Sequence, residues 1–447
     1  MNILNVKIPS EVLYIIGKLE EVGYEAYMVG GCVRDAVLGT EPGDWDICTI
    51  ALPEQIIKCF EEHRTIKTGM KHGTITLVLE ENNFEITTYR VDGIYSDSRR
   101  PDTVEFVSDL KKDLLRRDFT INAMAYSPKS GIIDFFGGQD DLKAGLIRCV
   151  GDADERFKED ALRIIRALRF ASALGFTIER STADSCIANK RLLSKIAVER
   201  ISCELNKLIT GQGVFHVLMN FIPVITKIIP EIAPMILFEQ NSRYHCFDVF
   251  HHTVTSINFA PNDVIVRQAL LFHDIAKPQC YTEDEHGGHF YGHPQMGAEI
   301  TKEILLRLKY SNEAIESITE LVLLHDEEIC PTSKHIKRWL NRIGETRLRQ
   351  LIEVKRADAL AHTEKYGRIR VNTINDAELI LNKIIEQQQC FSLRDLAING
   401  NDLISFGVLP GVKIGSILNK LVDMVIDEKV ENNKESLLKS VKELLYM

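Results

Sequence analysis

The sequence predicts an α+β protein in which a mixed α/β head, up to about residue 145, is followed by an all-helical remainder. In the head, short runs rich in β-branched residues alternate with turn residues and with amphipathic stretches, as in mixed sheets. From about residue 152 onward, apolar residues recur at three- and four-residue spacing, which is typical of helices that bury one face.

The elements follow in order along the chain. Strands are expected in the runs EAYMVGG, DWDICTI, GTITLVLE, NFEITTYR and IIDFFGG. Helices are expected between them, in IPSEVLYIIGKLEEVG and PEQIIKCFEEH. The run ADERFKEDALRIIRALRFASALG predicts one helix that ends at Gly175, because glycine is favoured just past a helix end. Later runs of the same character include VERISCELNKLIT, VIVRQALLFHDIA, AEITKEILLRLK and KHIKRWLNRI.

Composition and charge set limits on function. The 447 residues include 64 acidic and 54 basic ones, and the formal charge of −10 has the wrong sign for a simple polyanion binder. The ten cysteines are scattered without a Cys-x-x-Cys pair, which suits a reducing compartment. Neither a signal segment nor a long apolar run is visible. We expect a soluble cytoplasmic protein, monomer or homodimer, without a membrane partner.

The densest chemistry lies in YMVGGCVRDAVLGTEPGDWDICT. Gly30 and Gly31 end a predicted strand and open a helix, where backbone N–H groups can approach a phosphate without a Cβ in the way. Asp44 and Asp46 lie two apart in the next predicted strand, so both side chains would point to one face. Two carboxylates this close repel unless a cation separates them, and hard oxygen ligands beside a phosphate substrate suit Mg²⁺. The pattern predicts two-metal phosphoryl chemistry.

These motifs resemble a known family. Gly-Gly-x-x-Arg-Asp-x-x-Leu-Gly, followed by Asp-x-Asp, is similar to the head motif of the class II tRNA nucleotidyltransferase (CCA-adding enzyme) and bacterial poly(A) polymerase family. Three further motifs follow in the family's order, in YRVDGIYSDSRRPDTVEF, LLRRDFTINAMAY and EDALRIIRALRF. The resemblance implies a palm-like nucleotidyltransferase head with catalytic metals on Asp44 and Asp46. It also implies that four side chains contact the nucleotide, its triphosphate above all: Arg34, Arg117, Arg166 and Arg169. Asn122 is expected either to contact ribose or phosphate or to have a turn or capping role.

Two residues of EDALRIIRALRF suggest how a base is read. On one helix, Asp160 and Arg163 would lie about 60° apart, as a surface salt bridge or as a recognition pair. Cytosine and adenine present an amino donor beside a ring-nitrogen acceptor, whereas uracil and guanine present the reverse. A carboxylate beside a guanidinium would therefore take C or A and leave unpaired groups against U or G. The family resemblance likewise implies that this pair reads CTP or ATP.

Which family member this is depends on weaker signals. The run KTGMKHGTITLVLE resembles the CCA-adding type, and the intact loop motif from Asp92 to Pro101 favours full CCA addition to tRNA 3′ ends, with tRNA, CTP and ATP as partners. An A-adding or CC-adding specialist or a poly(A) polymerase are alternatives. A metal-dependent phosphohydrolase with a non-catalytic, nucleotide-sensing head is another. Glu85 is either a third carboxylate of the site or an exposed strand residue.

A second metal site is predicted in the helical half. Seven of the thirteen histidines fall within 49 residues: His245, His251, His252, His273, His286, His289 and His293. An ordered set resembles the HD phosphohydrolase superfamily and implies a divalent metal, Mg²⁺, Mn²⁺ or Ni²⁺, held by His252, His273, Asp274, His293, His325 and Asp358. His251 competes with His252 as first ligand, and Lys277 is a candidate phosphate contact. The resemblance implies a 2′,3′-cyclic phosphodiesterase or a phosphatase.

A basic run in the helical half is the candidate RNA contact. Residues 334–356 include eight basic and two acidic residues, so the local charge is +6 although the whole chain is acidic. Its first members, Lys334, Lys337, Arg338 and Arg342, are predicted to bind RNA phosphates. We expect four parts: a nucleotidyltransferase head (1–145), a nucleotide-selecting and RNA-binding neck (146–225), an HD domain (226–370) and a helical tail (371–447).

Overall fold

The described part of the chain comprises residues 6–93, 103–285 and 287–446 of a computed structural model, and it divides into two units, Met1–Pro230 and Glu231–Met447. The predicted loop motif from Asp92 to Pro101 lies outside the described residues from position 94 onward. His286 lies outside them too.

Short strands and helices alternate in the first unit. Its strands are β1 (Ala26–Val29), β2 (Ile47–Thr49), β3 (Arg64–Ile66), β4 (Thr74–Leu79), β5 (Asn82–Thr88), β6 (Arg90–Asp92), β7 (Val104–Phe106), β8 (Met124–Ser127), β9 (Gly131–Asp134), β10 (Leu146–Ile147) and β11 (Thr177–Ile178). Its helices are α1 (Ser10–Glu21), α2 (Gly31–Leu38), α3 (Pro53–Cys59), α4 (Leu110–Leu115), α5 (Gly138–Ala144), α6 (Ala153–Glu159), α7 (Leu162–Leu174), α8 (Arg180–Ala188), α9 (Val198–Ile209), α10 (Val214–Asn220) and α11 (Ile222–Ile228).

A seven-stranded mixed sheet confirms the predicted class of the head. Its order is β3-β4-β5-β2-β1-β8-β9, in which β2 and β5 are parallel and the other neighbours antiparallel. Buried side chains on one side of it include Val29, Cys48, Tyr89 and Leu114. The alternating burial along β4 follows from its alternating sequence, because successive side chains point to opposite faces of a sheet.

The strand assignment of Asp44 and Asp46 is wrong in detail. β2 begins only at Ile47, so both aspartates lie in the segment that leads into it. That segment is nevertheless tied to the sheet, because the Val29 N–H donates to the Asp46 carbonyl over 3.0 Å. The two carboxylates are therefore held at the start of a central strand.

The helix predicted from 153 to 175 is in fact two helices. α6 ends at Glu159, Asp160 is extended (φ −131°, ψ 103°), and α7 runs from Leu162 to a left-handed Gly175. The Asp160 carboxylate accepts the N–H of Leu162, the first residue of α7, over 3.0 Å. Aspartate favours such positions over helix interiors because its short side chain competes for backbone N–H groups. The end at Gly175 is as predicted.

The second unit is mainly helical, as predicted. Its helices are α12 (Val249–Phe259), α13 (Val264–Phe272), α14 (Lys277–Cys280), α15 (His293–Arg307), α16 (Asn312–Leu324), α17 (Ser333–Leu360), α18 (Glu364–Glu386), α19 (Gly400–Ser405), α20 (Val412–Ile426) and α21 (Lys434–Tyr446). A small hairpin, β12 (Thr282–Asp284) with β13 (Gly287–His289), interrupts the expected all-helical pattern.

Two further features concern the chain as a whole. All ten cysteines are free thiols. Among the described residues, the helices are too short or too polar for any of them to cross a membrane.

Candidate functional site

Three carboxylates gather at the start of β2. In the parallel pairing, Ile47 lies opposite Ile86, so one step back along both strands places Asp46 beside Glu85. Burial, together with the carboxylates of Asp44 and Glu85, raises the pKa of Asp46 to about 6, although Arg117 partly offsets the rise. Glu85 therefore acts on the same site as the two predicted aspartates. A cation between these oxygens would relieve the repulsion.

The double glycine shapes the turn next to this group. Gly30 has φ 82°, a conformation that strongly favours glycine, and a Cβ there would lie 2.8 Å from Arg117 Nη1. The Gly30 N–H donates to the Met124 carbonyl over 3.2 Å, so this N–H is already used. The expectation that it faces a phosphate is wrong. Gly30 instead makes room for the Arg117 guanidinium.

Three arginines surround one aromatic ring. The guanidinium carbons of Arg34, Arg166 and Arg169 lie 5.1, 5.3 and 3.5 Å from the centroid of the buried Phe170 ring. Arg166 and Phe170 are four residues apart on α7 and thus neighbours on its surface. The three arginines, which the family resemblance alone had grouped, are brought together by Phe170, a residue that the sequence analysis missed.

Side chains from several elements orient these arginines. Arg34 donates to Asn122 Oδ1 over 2.7 Å, and Asn122 donates to Asp118 over 3.1 Å. Asp118 in turn accepts from Nε and Nη2 of Arg166 over 2.9 and 2.6 Å. Burial alone would raise the pKa of Asp118, but Arg166 and the hydrogen bond from Asn122 lower it to about 2. The chain of contacts links α2, the Asn122 turn and α7 into one rigid unit.

Arg169 is held from another helix. Its Nε donates to Glu204 of α9 over 2.9 Å. Burial lowers the pKa of Arg169, and the Glu204 carboxylate partly restores it.

The predicted recognition pair is not formed as expected. Because the helix breaks at Asp160, Arg163 does not share a helical face with it. The Arg163 side chain is 9% exposed and donates to Glu159 and to the carbonyls of Arg156 and Arg116. Arg200 of α9 lies beside Asp160 instead, with Nη2 3.5 Å from Asp160 Oδ2.

A second cluster of titratable side chains is buried in the second unit. All six residues predicted from the HD resemblance meet there: His252, His273, Asp274, His293, His325 and Asp358. His252 Nε2 lies 2.9 Å from Asp358 Oδ1, and His293 Nε2 lies 3.2 Å from His325 Nε2. His293 Nε2 is also 3.5 Å from Asp274 Oδ1. The residues come from five elements, and His273 and Asp274 follow the end of α13 rather than lying within a helix.

The histidine tautomers suit metal binding. The Nδ1 atoms of His273, His293 and His325 lie 2.7, 2.7 and 2.6 Å from backbone carbonyls, and that of His252 lies 3.3 Å from one. A carbonyl can only accept, so Nδ1 carries the proton and the Nε2 lone pairs are left for ligation. Burial alone would raise the pKa of Asp274, but His273 and Lys277 hold it well below its usual range. Four Nε2 atoms and two carboxylates fit a divalent cation.

Four residues of the cluster line one wall of a cavity of about 990 Å³: Asp274, His293, His325 and Asp358. Other walls carry three cations, Arg243, Lys277 and Arg370, and the tyrosines 244, 291 and 366. His251 stacks on Phe247, whereas His252 is fully buried in the cluster, which decides between the two.

The sequence analysis missed His362. Its Nδ1 lies 2.8 Å from the Asp358 carbonyl and its Nε2 3.2 Å from Arg370. Its position four residues after Asp358 was the available signal.

The basic run between residues 334 and 356 is largely neutralised. Lys334 and Arg338 both bind Asp427 over 2.8 Å, and Arg342 binds Glu327 over 2.6 Å. Lys337 is buried, so the prediction that it contacts RNA is wrong. Lys334, Arg338 and Arg342 remain about half exposed on one face of α17.

Comparisons with known proteins agree with this site. Residues 26–148 match the family described as "Poly A polymerase head domain". Residues 175–221 match "Probable RNA and SrmB- binding site of polymerase A", and residues 293–441 match "tRNA nucleotidyltransferase domain 2 putative". The chain is 33% identical over 433 residues to the CCA-adding enzyme of Leuconostoc mesenteroides, covering 96% of this chain and 95% of the relative. It is 35% identical over 442 residues to that of Ligilactobacillus salivarius, covering 98% of both.

Solved structures of CCA-adding enzymes are similar to this chain over nearly its full length. The CCA-adding enzyme of Bacillus stearothermophilus in complex with CTP has a TM-score of 0.71 and 28% identity, covering 99% of this chain and 98% of that one. The Thermotoga maritima CCA-adding enzyme complexed with tRNA shares the fold, with a TM-score of 0.62, 21% identity and coverage of 99% and 98%.

The carboxylates at the start of β2 with Arg117 beside them, together with the similarity to a polymerase head domain over residues 26–148, define a nucleotidyltransferase head. The near full-length similarity is more specific, and the chain belongs to the family of CCA-adding enzymes. The predicted family resemblance and the predicted enzyme class are thereby confirmed.

The Asp118–Arg166 pair should make the first unit sensitive to acid. The pKa of Asp118 is about 2 in the folded chain and 3.8 ordinarily, which corresponds to about 2 kcal/mol of stability. Because the folded pKa is the lower one, this stability is present above about pH 4 and is lost as the pH falls towards 2. Urea unfolding should therefore show Asp118→Asn less stable than wild type at pH 7, with a gap that narrows at pH 3.

Asp140→Asn is the matched control, because the Asp140 side chain is 87% exposed. It should leave stability nearly unchanged at either pH. A stability gap for Asp118→Asn that is the same at pH 7 and pH 3 would contradict the assignment.

Proposed function

We propose that this chain adds C, C and A to the 3′ end of tRNA, using CTP and ATP and no nucleic-acid template. The observation that carries the proposal is the carboxylate group Asp44, Asp46 and Glu85, adjoining Arg117 in the head. Carboxylates for cations and guanidinium groups for a triphosphate are the two requirements of nucleotidyl transfer. Action on tRNA would place the chain in the cytoplasm.

Asp44 and Asp46 are the residues that would hold the divalent cations, and Mg²⁺ is the cation we propose. Their oxygens are hard, acceptor-only ligands, and the raised pKa of Asp46 reflects its burial and the nearby carboxylate of Asp44, both of which a cation would offset. Bound Mg²⁺ would favour the ionised RNA 3′-hydroxyl and neutralise charge on the departing pyrophosphate. The 3′-hydroxyl oxygen forms its bond to the α-phosphorus as the bond to pyrophosphate breaks.

The triphosphate would be bound by Arg34, Arg117, Asn122, Arg166 and Arg169. Asp118 occupies the Nε and Nη2 edge of Arg166, and Glu204 occupies Nε of Arg169. An arginine has five N–H donors, so each guanidinium keeps donors for phosphate oxygens while its partner fixes its orientation. Phe170 supports the three clustered guanidinium planes.

Base selection would rest on Asp160 with Arg163, the pair implied by the family. Asp160 Oδ2, which lies 3.5 Å from Arg200 Nη2, would accept from the exocyclic amine of cytosine or adenine. The engagement of Arg163 with Glu159 means that it would have to change partners to reach a base.

The tRNA would contact residues 175–221, where the family description names RNA binding, and the exposed face of α17. On that face Lys334, Arg338 and Arg342 already have carboxylate partners, so their contribution to tRNA affinity should be modest.

The carboxylates provide the test of transfer. With tRNA lacking its CCA end and labelled CTP and ATP, Asp44→Asn and Asp46→Asn should each lower incorporation at least about 10²-fold, because each removes a preorganised electrostatic contact. Binding of tRNA in a filter assay should be retained, and Asp140→Asn should behave as wild type. Incorporation that survives in both variants would refute the proposal. The same assay with single nucleotides separates CCA addition from A-only, CC-only and poly(A) synthesis.

A second candidate function is favoured by the buried cluster in the second unit. We propose that His252, His273, Asp274, His293, His325 and Asp358 hold a divalent cation, Mg²⁺, Mn²⁺ or Ni²⁺, for hydrolysis of phosphoesters such as 2′,3′-cyclic nucleotides or RNA ends. The support is the shared tautomer, which leaves the four Nε2 atoms for ligation. Lys277, which lines the cavity 2.7 Å from Asp274, suits a phosphate oxygen.

A substitution in the buried cluster should abolish phosphoester hydrolysis without affecting CCA addition. His252→Ala should lower both the bound metal, measured by elemental analysis, and hydrolysis of 2′,3′-cyclic AMP, because metal binding needs the complete ligand set. Addition of CCA should be unchanged in this variant. His251→Ala, which alters the neighbouring histidine, should retain both metal and hydrolysis. Equal metal content in wild type and His252→Ala would overturn the proposal.

A further inference from the structure

A tyrosine at the cavity of the second unit exposes most of its side chain. Tyr291 lines the same cavity as Asp274 and His293 of the buried cluster, yet it is 77% exposed. A side chain that lines a cavity and is so open to water lies at the mouth of that cavity. Its aromatic face is therefore a surface that a ligand can reach and cover.

The backbone holds Tyr291 in a tight turn. The Phe290 carbonyl accepts the His293 N–H over 3.2 Å, and the His293 Nδ1 lies 2.7 Å from the same oxygen. Gly292 has φ 78° and ψ 5°, the values of the third residue of a type II turn, where glycine is favoured. Tyr291 is the second residue of this turn, so the contacts that orient His293 also fix its backbone.

One face of the Tyr291 ring is covered by a histidine. The rings of Tyr291 and His289 are 5.3 Å apart between centroids and only 10° from parallel. His289 is held in turn, because its Nε2 lies 3.0 Å from Asp284 Oδ1 across the β12–β13 hairpin. A planar ligand could stack on the other face of Tyr291 and would extend this pair to three parallel rings.

The other two tyrosines of the cavity are less available. Tyr244 is 38% exposed, and its ring meets that of Tyr366 edge-on, with centroids 4.4 Å apart and an angle of 83°. The guanidinium carbon of Arg243 lies 5.1 Å from the centroid of the Tyr244 ring. Among the three tyrosines, Tyr291 therefore offers the most open aromatic surface.

The position of Tyr291 relative to the buried cluster suits a nucleotide. Tyr291 precedes His293 by two residues, so their Cα atoms are at most about 7 Å apart. Lys277, the candidate phosphate contact, lines the same cavity. A cavity of about 990 Å³ is far larger than a phosphate group needs and has room for a base and a ribose as well.

We propose that Tyr291, backed by His289, is the stacking surface for the base of a nucleotide whose phosphate lies at the buried cluster. This inference rests on the proposed phosphoester hydrolysis and names its substrate class, nucleoside phosphates rather than simple phosphoesters. Every base has a π-face, so this surface would accept all four bases. A free nucleotide and the 3′-terminal nucleotide of an RNA share this chemistry.

The test compares two cyclic esters that differ in the presence of a base. Hydrolysis of 2′,3′-cyclic AMP and of glycerol 1,2-cyclic phosphate is measured for wild type, Tyr291→Ala, Tyr291→Phe and Phe259→Ala. Tyr291→Ala should lower the ratio of the two kcat/KM values about 5- to 150-fold, the range expected for one base–aromatic stack. The loss should appear in KM for 2′,3′-cyclic AMP, because stacking binds substrate and transition state alike.

Two variants serve as controls. Tyr291→Phe keeps the ring and should restore most of the ratio. Phe259 is 49% exposed at the end of α12 and is not among the described residues that line the cavity, so Phe259→Ala should match wild type.

A second readout needs no turnover. The fluorescence of 2-aminopurine riboside 3′-monophosphate, which stacking on an aromatic ring quenches, is titrated with each protein. Quenching should be weaker with Tyr291→Ala than with wild type or Phe259→Ala. Nucleotide binding in the first unit is common to all variants, so the difference reports on Tyr291.

The outcomes separate this inference from the activity on which it rests. A wild type that hydrolyses neither ester would refute phosphoester hydrolysis, and the fluorescence titration would still decide whether a base stacks on Tyr291. An unchanged ratio and unchanged quenching in Tyr291→Ala would overturn the stacking surface alone. A parallel loss of both esters would assign Tyr291 a merely structural role and overturn it too. Thermal unfolding checks that each variant is folded.

A further substrate distinguishes the two sources of the base. A short RNA ending in a 2′,3′-cyclic phosphate is hydrolysed beside 2′,3′-cyclic AMP. A higher kcat/KM for the RNA, lowered by Tyr291→Ala, would identify the RNA end as the ligand, and the reverse order would identify the free nucleotide.

Discussion

The site in the first unit depends on one constraint: the backbone holds the carboxylates of Asp44, Asp46 and Glu85 close together although they repel one another. The register between β2 and β5 places Asp46 beside Glu85, and the backbone bond from Val29 holds the segment that carries Asp44. Burial and these neighbours raise the pKa of Asp46 to about 6. Placing these carboxylates together lowers the stability of the fold, since their negative charge is not compensated. The sheet supplies the rigidity, and a cation with its phosphate ligand would supply the compensation.

The arginines of the same unit, unlike the carboxylates, each have a polar partner. Each arginine of the cluster is oriented by a polar partner, Asn122, Asp118 or Glu204, and Phe170 keeps the three guanidinium groups together. Long side chains that are held in advance lose less entropy when a triphosphate arrives. This is why α7 and α9 matter to the chemistry although they lie outside the sheet: both bear residues that position donors rather than residues that react.

Features that depend on residues close together in the sequence could be predicted. Contacts between residues far apart in the sequence could not. Strand-length apolar runs predicted the sheet, and the Asp-x-Asp spacing predicted the carboxylate pair, because both signals depend on neighbouring residues. The break at Asp160 was missed because its capping preference competes with a helical apolar period that continues on either side. Arg200 beside Asp160, Asp427 beside Lys334 and the burial of Lys337 arise from tertiary contacts, which no spacing rule contains. The cluster of four histidines and two aspartates was predicted from the order of these residues in the HD resemblance, whereas the shared Nδ1 contacts emerge only in the fold.

The most direct test of the account is a crystal structure of the full chain with Mn²⁺ and a non-hydrolysable CTP analogue. We expect an anomalous manganese peak between the carboxylates of Asp44 and Asp46, triphosphate oxygens within hydrogen-bond distance of Arg34, Arg166 or Arg169, and the cytosine edge at Asp160. A triphosphate bound away from the arginines around Phe170, or the absence of manganese from these two aspartates, would contradict this arrangement.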